Sequence, residues 1–211
     1  MKLLHLTFSP RGQESESTQL SQAIVDQLST QHTVDSITRR DWSNAAVIPI
    51  DSIYANTLAN AAHASAGIAS ASTLDQSEIL IRELEAADQV VIGTPMHNFT
   101  VPASLKTWID LVVRVNRSFI ITPEGKVGTL SDKPVYIAVA SGGFFGSDRS
   151  RQPDFLTPYL KAILATIGLH DLRFFSAQGM ALGQEKVVAG RAVALEQIES
   201  AINRTVSTNA S

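Results

Sequence analysis

The 211-residue chain has no cysteine. That excludes disulfides, thiolate nucleophiles, thiolate-held iron–sulfur clusters and Cys-type zinc sites together, so any redox chemistry here needs a borrowed cofactor. Basic clusters are missing as well: no Lys/Arg run exceeds Arg39-Arg40, and the formal net charge is −3. Such a chain offers no footprint for a nucleic-acid backbone or an anionic membrane surface. Long hydrophobic runs are absent, and the opening Leu3-Leu4-His5-Leu6 is too short for the core of a signal peptide, so no membrane segment and a cytoplasmic location are expected. The histidines His5, His32, His63 and His170 form no H-E-x-x-H, and no paired-Asp pattern accompanies them; no metal is expected. Also lacking are G-x-G-x-x-G, G-x-x-x-x-G-K-[ST] and the G-x-S-x-G elbow, which excludes the usual dinucleotide, triphosphate and serine-hydrolase signatures.

What is present suffices for a full core. With 44% hydrophobic residues and no Pro- or Gly-rich linker, residues 1–211 read as one domain. Short apolar runs at Lys2 to Phe8, Thr33 to Ile37, Gln89 to Thr94, Val135 to Ala140 and Leu172 to Phe175 predict five strands. Helical periodicity falls between them, near Ser17 to Ser29, Leu74 to Ala87, Pro102 to Val113, Pro153 to Ile167 and Glu185 to Arg204. Strict alternation of this kind implies an α/β fold, a five-stranded parallel sheet with right-handed crossovers and helices on both faces. Val90-Val91-Ile92 and Val135 to Val139 are apolar without a break, as central strands covered on both sides must be. The Ala/Ser/Asn-rich stretch from Tyr54 to Thr73 reads as a mobile, partly helical surface excursion. Trp42 and Trp108 read as packing residues, Trp108 facing either the core or a partner subunit.

In an open doubly wound sheet, ligands bind beyond the C-terminal strand ends, so the loops after strands one, three and four are the ones to inspect. The first runs Ser9-Pro10-Arg11-Gly12-Gln13-Glu14-Ser15-Glu16-Ser17 into a helix. Its hydroxyls suit helix capping and equally suit a phosphate, which the helix dipole and free N–H groups favour. With the dinucleotide and P-loop signatures missing, one terminal phosphate, as in FMN, fits better than a pyrophosphate or triphosphate.

The second loop, Gly93 to Lys106, brackets Met96-His97-Asn98-Phe99 between Pro95 and Pro102. Fixed backbone polar groups beside an apolar wall are what a flat heterocycle requires, although Met96 and Phe99 would each serve equally as core. In the third, Ser141-Gly142-Gly143-Phe144-Phe145-Gly146, the paired glycines permit φ > 0 and close backbone approach; a plain turn is the alternative.

Together these residues resemble the FMN-dependent NADH-azoreductases of the flavodoxin-like superfamily, also described as NADH:quinone oxidoreductases. The resemblance rests on Ser9 and Ser15-x-Ser17, on Pro95-Met96-x-Asn98-Phe99 leading into Leu105-Lys106 and Ile109-Asp110, and on Ser141-Gly142-Gly143. Leu156-Thr157-Pro158-Tyr159-Leu160 and Gly168-Leu169 complete it, in the family's order across nearly the whole chain. It implies a flavodoxin-like, FMN-binding domain and a homodimer with its flavins at the subunit interface. Ping-pong transfer from NADH or NADPH to quinones, azo compounds or similar aromatics follows from the same likeness.

Position by position, the resemblance assigns Ser9, Ser15 and Ser17, with the backbone of Glu16, to the FMN phosphate. Met96, His97, Asn98 and Phe99 would line the isoalloxazine, and Ser141, Gly142, Gly143 and Phe144 would close its polar edge. Phe119, in a Gly-containing β-excursion between Arg117 and Leu130, is the candidate for stacking on the acceptor or, alternatively, for anchoring that hairpin. No side chain is assigned proton-transfer catalysis in the strict sense, since a flavin carries the hydride chemistry. The one departure is His97, where the family commonly has Tyr; an imidazole titrates near neutrality, so it would tune the flavin, donate a proton to the acceptor, or simply hydrogen-bond the ring. The rival class is a flavodoxin-type electron carrier, which the mild charge disfavours; a third reading, a binding module that has lost FMN, conflicts with the intact loops. Arg11, Arg39, Arg149 and Arg151 are all available cations, which leaves NADH against NADPH open.

Overall fold

A computed structural model describes residues 1–43, 52, 54–56, 71–146, 150 and 152–209. Five strands, β1 (Lys2–Thr7), β2 (Ser36–Asp41), β3 (Gln89–Pro95), β6 (Val135–Ser141) and β7 (Leu172–Gln178), form a sheet in the order β2-β1-β3-β6-β7. Every neighbouring pair is parallel. An antiparallel hairpin, β4 (Phe119–Thr122) with β5 (Gly125–Gly128), leaves the chain before β6. It is the Gly-containing excursion expected there, with Gly125 in the left-handed region at φ 127°.

The described α-helices are α1 (Glu16–Gln31), α2 (Ala71–Ala86), α3 (Ala103–Val112), α4 (Leu156–Thr166) and α5 (Gln184–Asn209). Because successive strand residues point to opposite faces, the central strands feed two cores. Leu4, Leu6, Val90, Ile92, Val135, Ile137 and Val139 pack under α2, α3 and α4. Leu3, Val91, Tyr136 and Ala138 pack under α1 and α5. The unbroken apolar runs of β3 and β6 thus reflect burial on both sides. Trp108 belongs to the first core, 1% exposed and 6.0 Å from Phe8 between ring centroids.

Three expectations need correction. The second strand lies at Ser36–Asp41 rather than Thr33 to Ile37, because its register against β1 pairs Lys2 with Ser36 and Thr7 with Asp41. As an edge strand it tolerates the exposed Arg39-Arg40-Asp41 end, and Val34 packs on the second core before the strand begins. Helix α4 starts at Leu156, not Pro153, since Asp154 Oδ1 accepts the N–H groups of Leu156 and Thr157 at 3.0 and 2.9 Å and so caps the first turn. Tyr54, expected on a surface excursion, is 1% exposed, and its hydroxyl donates to the Asp110 carbonyl at 3.4 Å. Residues 57–70 of that excursion, which include His63, lie outside the described residues, as do Arg149 and Arg151.

Candidate cofactor cleft

The strand order reverses at the β1/β3 pair, and the loops leaving those two strands bound a cleft of about 270 Å³ at their C-terminal ends. From the β1–α1 loop it takes Ser9, Pro10, Arg11, Ser15 and Glu16; from the end of β3, Pro95, Met96 and His97; from the end of β6, Ala140, Ser141 and Gly142. A fourth loop adds Met180 and Ala181.

The first loop folds on itself before the helix starts. Gly12, at φ 53°, donates its N–H to the Ser9 carbonyl at 3.0 Å, and the Ser15 N–H returns to the Gly12 carbonyl at 3.2 Å. Ser15 then occupies the N-cap position of α1 with extended backbone, yet its hydroxyl makes no capping bond. It meets the Ser17 hydroxyl instead, Oγ to Oγ 3.0 Å, and the two residues are 4% and 0% exposed. Simple capping is therefore not what these serines do. Two hydroxyls bring two hydrogens, only one of which lies between them, so the pair keeps a donor for an anion at the positive end of the helix. Next along, Thr18 Oγ1 is buried with no hydrogen-bond partner among the described residues. A phosphate answers this donor chemistry, so the residues present fit the group that the sequence implied.

The second loop is a tight turn. His97 and Thr100 exchange both backbone bonds at 2.9 and 3.0 Å, with Asn98 at φ 48° and Phe99 at φ 70° between them. Two consecutive left-handed residues define a type I′ geometry, which Asn tolerates and Phe does not favour. The strain costs on the order of 1 kcal/mol. The Phe155 N–H holds the turn by donating to the Phe99 carbonyl at 3.0 Å, and Phe99 keeps its ring 42% exposed. Phe99 is thus an exposed aromatic held in a strained turn two residues beyond the cleft-lining His97, and is not itself among the lining residues. Beside it Met96 donates its N–H to the Ala140 carbonyl at 2.8 Å, which extends the β3–β6 pairing into the cleft.

At the third loop the Gly142-Gly143 pair is not in the left-handed region, contrary to one expectation. Both are close-approach glycines: a Cβ on Gly142 would stand 3.2 Å from Ala181 Cβ, and one on Gly143 2.9 Å from Gln152 Oε1. The fourth loop lies against this segment, with the N–H groups of Met180 and Ala181 donating to the carbonyls of Ser141 and Gly142 at 3.0 and 3.1 Å. Sequence reasoning missed Met180, Ala181 and Gln152. Gln152 Nε2 donates to Ser141 Oγ at 3.0 Å and approaches Met96 Sδ at 3.6 Å, linking the second and third loops. The fifth strand end was the signal for Met180; Gln152 had none.

Of the residues expected at the site, Ser17, Asn98, Phe99, Gly143, Phe144 and Phe119 are not among those lining this cleft. Phe144 packs against Gly179 and borders a separate groove of about 410 Å³ between β7 and α5. Phe119 is 7% exposed, with Lys126 Nζ 5.1 Å from its ring centroid on the hairpin. Of the cations considered for a 2′-phosphate, Arg11 lines the cleft, whereas Arg39 is engaged with His5 Nδ1 and Gln22 Oε1 at 2.7 and 2.9 Å.

That engagement supports α1 from below. Ser21 Oγ donates to the Thr18 carbonyl at 2.9 Å, so its oxygen accepts the His5 Nε2 proton at 2.8 Å, and Arg39 donates to His5 Nδ1. This network assigns a neutral imidazole. Burial, then the nearby Arg39 charge, pulls the His5 pKa from 6.5 down to about 4, against weaker opposing pulls from Asp26 and Asp41. Between those values the unfolded chain takes up a proton that the fold refuses, so stability is full above pH 6.5 and falls as pH drops towards 4. Glu78, held down to about 2 foremost by its bond to Arg117, acts only below pH 4.5. Urea denaturation is expected to show a loss of about 2 kcal/mol between pH 7 and pH 5, and this slope should flatten in His5→Asn.

A doubly wound parallel sheet with a polar-edged cleft at its switch point defines the flavodoxin-like class of α/β protein. The profile of the family described as flavodoxin-like fold matches residues 1–202, and the chain belongs to that family. It is 44% identical over 201 residues to FMN-dependent NADH:quinone oxidoreductase 4 of Pseudomonas fluorescens, covering 95% of this chain and 93% of that protein. Identity is 43% over 189 residues to FMN-dependent NADH:quinone oxidoreductase 2 of Cupriavidus pinatubonensis, covering 90% and 91%. The crystal structure of an azoreductase from Bacillus anthracis str. Sterne superposes with a TM-score of 0.84 over 97% of this chain and 99% of that one; at 22% identity it bears on the fold alone. Among the described residues, no helix is long and apolar enough to cross a membrane.

Proposed function

We propose that the protein is an FMN-dependent NADH:quinone oxidoreductase that also reduces azo compounds, its whole length forming one FMN-binding domain. The observation that carries the cofactor assignment is the Ser15–Ser17 hydroxyl pair, buried at the uncapped start of α1, with Ser15 on the lining of the cleft at the switch point and Ser17 directly behind it. The enzyme reading over a simple electron carrier draws on the 44% likeness to a protein of that name. The protein would act as a cytoplasmic homodimer.

FMN, when bound, supplies the hydride chemistry between NADH and the acceptor. The chain's residues bind and orient it. Ser9, Ser15 and Ser17 and the Glu16 N–H hold the phosphate, where the α1 dipole favours the anion. Met96 and His97 on the cleft lining would supply the wall for the flat ring, with Asn98 and Phe99 in the left-handed turn just beyond them. Ser141, Gly142 and Gly143 present backbone and hydroxyl groups to the ring's polar edge, with Gln152 fixing the Ser141 hydroxyl. Phe144, which borders the neighbouring groove, is left out of the ring's contacts, and Phe119 serves to anchor the β4–β5 hairpin.

The reading is tested by purifying the protein with FMN, adding NADH without oxygen, and following flavin absorbance before and after a quinone is supplied. Rapid bleaching and recovery are expected. Flavin that binds but is reduced by neither NADH nor NADPH would instead establish the electron carrier, and no flavin binding would end the proposal.

His97 stands exposed at the cleft mouth and lines it, in position to hand a proton to the reduced acceptor. The pH–rate profile for quinone under saturating NADH is expected to differ between wild type and His97→Tyr. Matching pH–rate profiles would exclude the proton-donor role.

A further inference from the structure

Glu16 is a carboxylate in the first turn of α1, on the lining of the same cleft whose serines are assigned to a phosphate. A carboxylate there complements the helix dipole but competes with any second anion for it. Its side chain is only 17% exposed, so bulk water does little to screen the charge. The structure answers with Arg191 of α5, 175 residues away in sequence, whose Nε donates to Glu16 Oε2 at 2.9 Å while Nη2 donates to Oε1. Both carboxylate oxygens are thereby occupied by a guanidinium fork, and the Glu16 backbone N–H stays free to serve a ligand. Arg191 itself is 43% exposed.

We propose that Arg191 is a positioning residue of the phosphate subsite: by pairing with Glu16 it cancels the charge that would otherwise repel the phosphate. This rests on the FMN reading above. The pair makes this subsite selective for phosphorylated flavin only while Arg191 is in place, which ties cofactor affinity to the docking of α5.

The test is a set of fluorescence titrations of flavin-free protein with FMN and with riboflavin, which lacks the phosphate, on wild type, Arg191→Gln, Glu16→Gln and the double variant. Arg191→Gln is expected to weaken FMN about tenfold at low salt while leaving riboflavin and the melting temperature nearly unchanged. Glu16→Gln/Arg191→Gln should recover FMN affinity to within about twofold of wild type, because the charge needing cancellation is gone. A double variant as weak as Arg191→Gln would overturn the inference by showing that Arg191 attracts the phosphate directly or packs α5. Equal losses for FMN and riboflavin would overturn it too. Wild-type protein that binds riboflavin and FMN alike would remove the phosphate subsite itself, and the inference with it.

Discussion

Gly93→Ala is expected to lower stability by about 3 kcal/mol and FMN affinity by more than tenfold. Gly93 lies in the middle of the sheet on β3, where α1 crosses, and an added Cβ would stand 2.5 Å from Ser21 Oγ, 2.7 Å from the Ser17 carbonyl oxygen and 2.9 Å from Ser21 Cβ. The hydroxyl can rotate, but only by giving up its bonds to His5 and the Thr18 carbonyl. A backbone carbonyl cannot move without the helix. The first turn of α1 must lift off the sheet, and the Ser15–Ser17 pair moves with it. Chemical denaturation and flavin titration measure the two effects; a variant that melts and binds like wild type would show that the packing is looser than the contacts indicate. Adding Ser21→Gly should restore only part of the loss, since the Ser17 carbonyl contact persists.

The second large effect concerns the hydroxyls themselves. Replacing Ser15 and Ser17 together by alanine should weaken FMN by about tenfold, as expected for losing the one hydrogen bond to a charged group that the pair has to give, at about 1.5 kcal/mol. Stability should change little. The two hydroxyls bond to each other, and removing both partners of a buried pair leaves neither unsatisfied. Riboflavin binding should be unaffected, which separates phosphate recognition from general damage to the cleft. Should riboflavin fall in parallel, the serines hold the loop rather than the phosphate.

These two variants differ in how they could have been found. Ser15 and Ser17 stand in an open loop ahead of a periodic helix, with the dinucleotide glycines missing, and that pattern already points to a single phosphate. Gly93 carries no such mark. It precedes Thr94-Pro95 at the end of an apolar run, and only the crossing of α1 over β3 makes it a site where a methyl group cannot fit.

The same contrast runs through the rest of the molecule. Continuous apolar runs at β3 and β6 announced buried parallel strands, and alternation with helices announced the crossovers, because burial on both faces dictates composition locally. At the edge that constraint relaxes. β2 is exposed over most of its length, so its limits come from pairing with β1, and hydrophobicity misplaced it. Gly142 and Gly143 were legible as glycines a ligand loop needs, but the reason differed: they make room for Ala181 and Gln152 rather than adopting positive φ.

By itself, then, the sequence determined the α/β class, the run of strands and helices through the chain, and the three loops whose residue types suit a phosphate and a flat ring. Those properties depend on local composition and on the period at which side chains meet water or core. Tertiary structure alone decided which residues share the cleft. It brought Met180, Ala181 and Gln152 to the rim, turned Phe144 toward a neighbouring groove, and set Arg191 against Glu16 across 175 residues. Contacts of that separation arise from the order in which strands pair and helices cross, and no local pattern of residues records them.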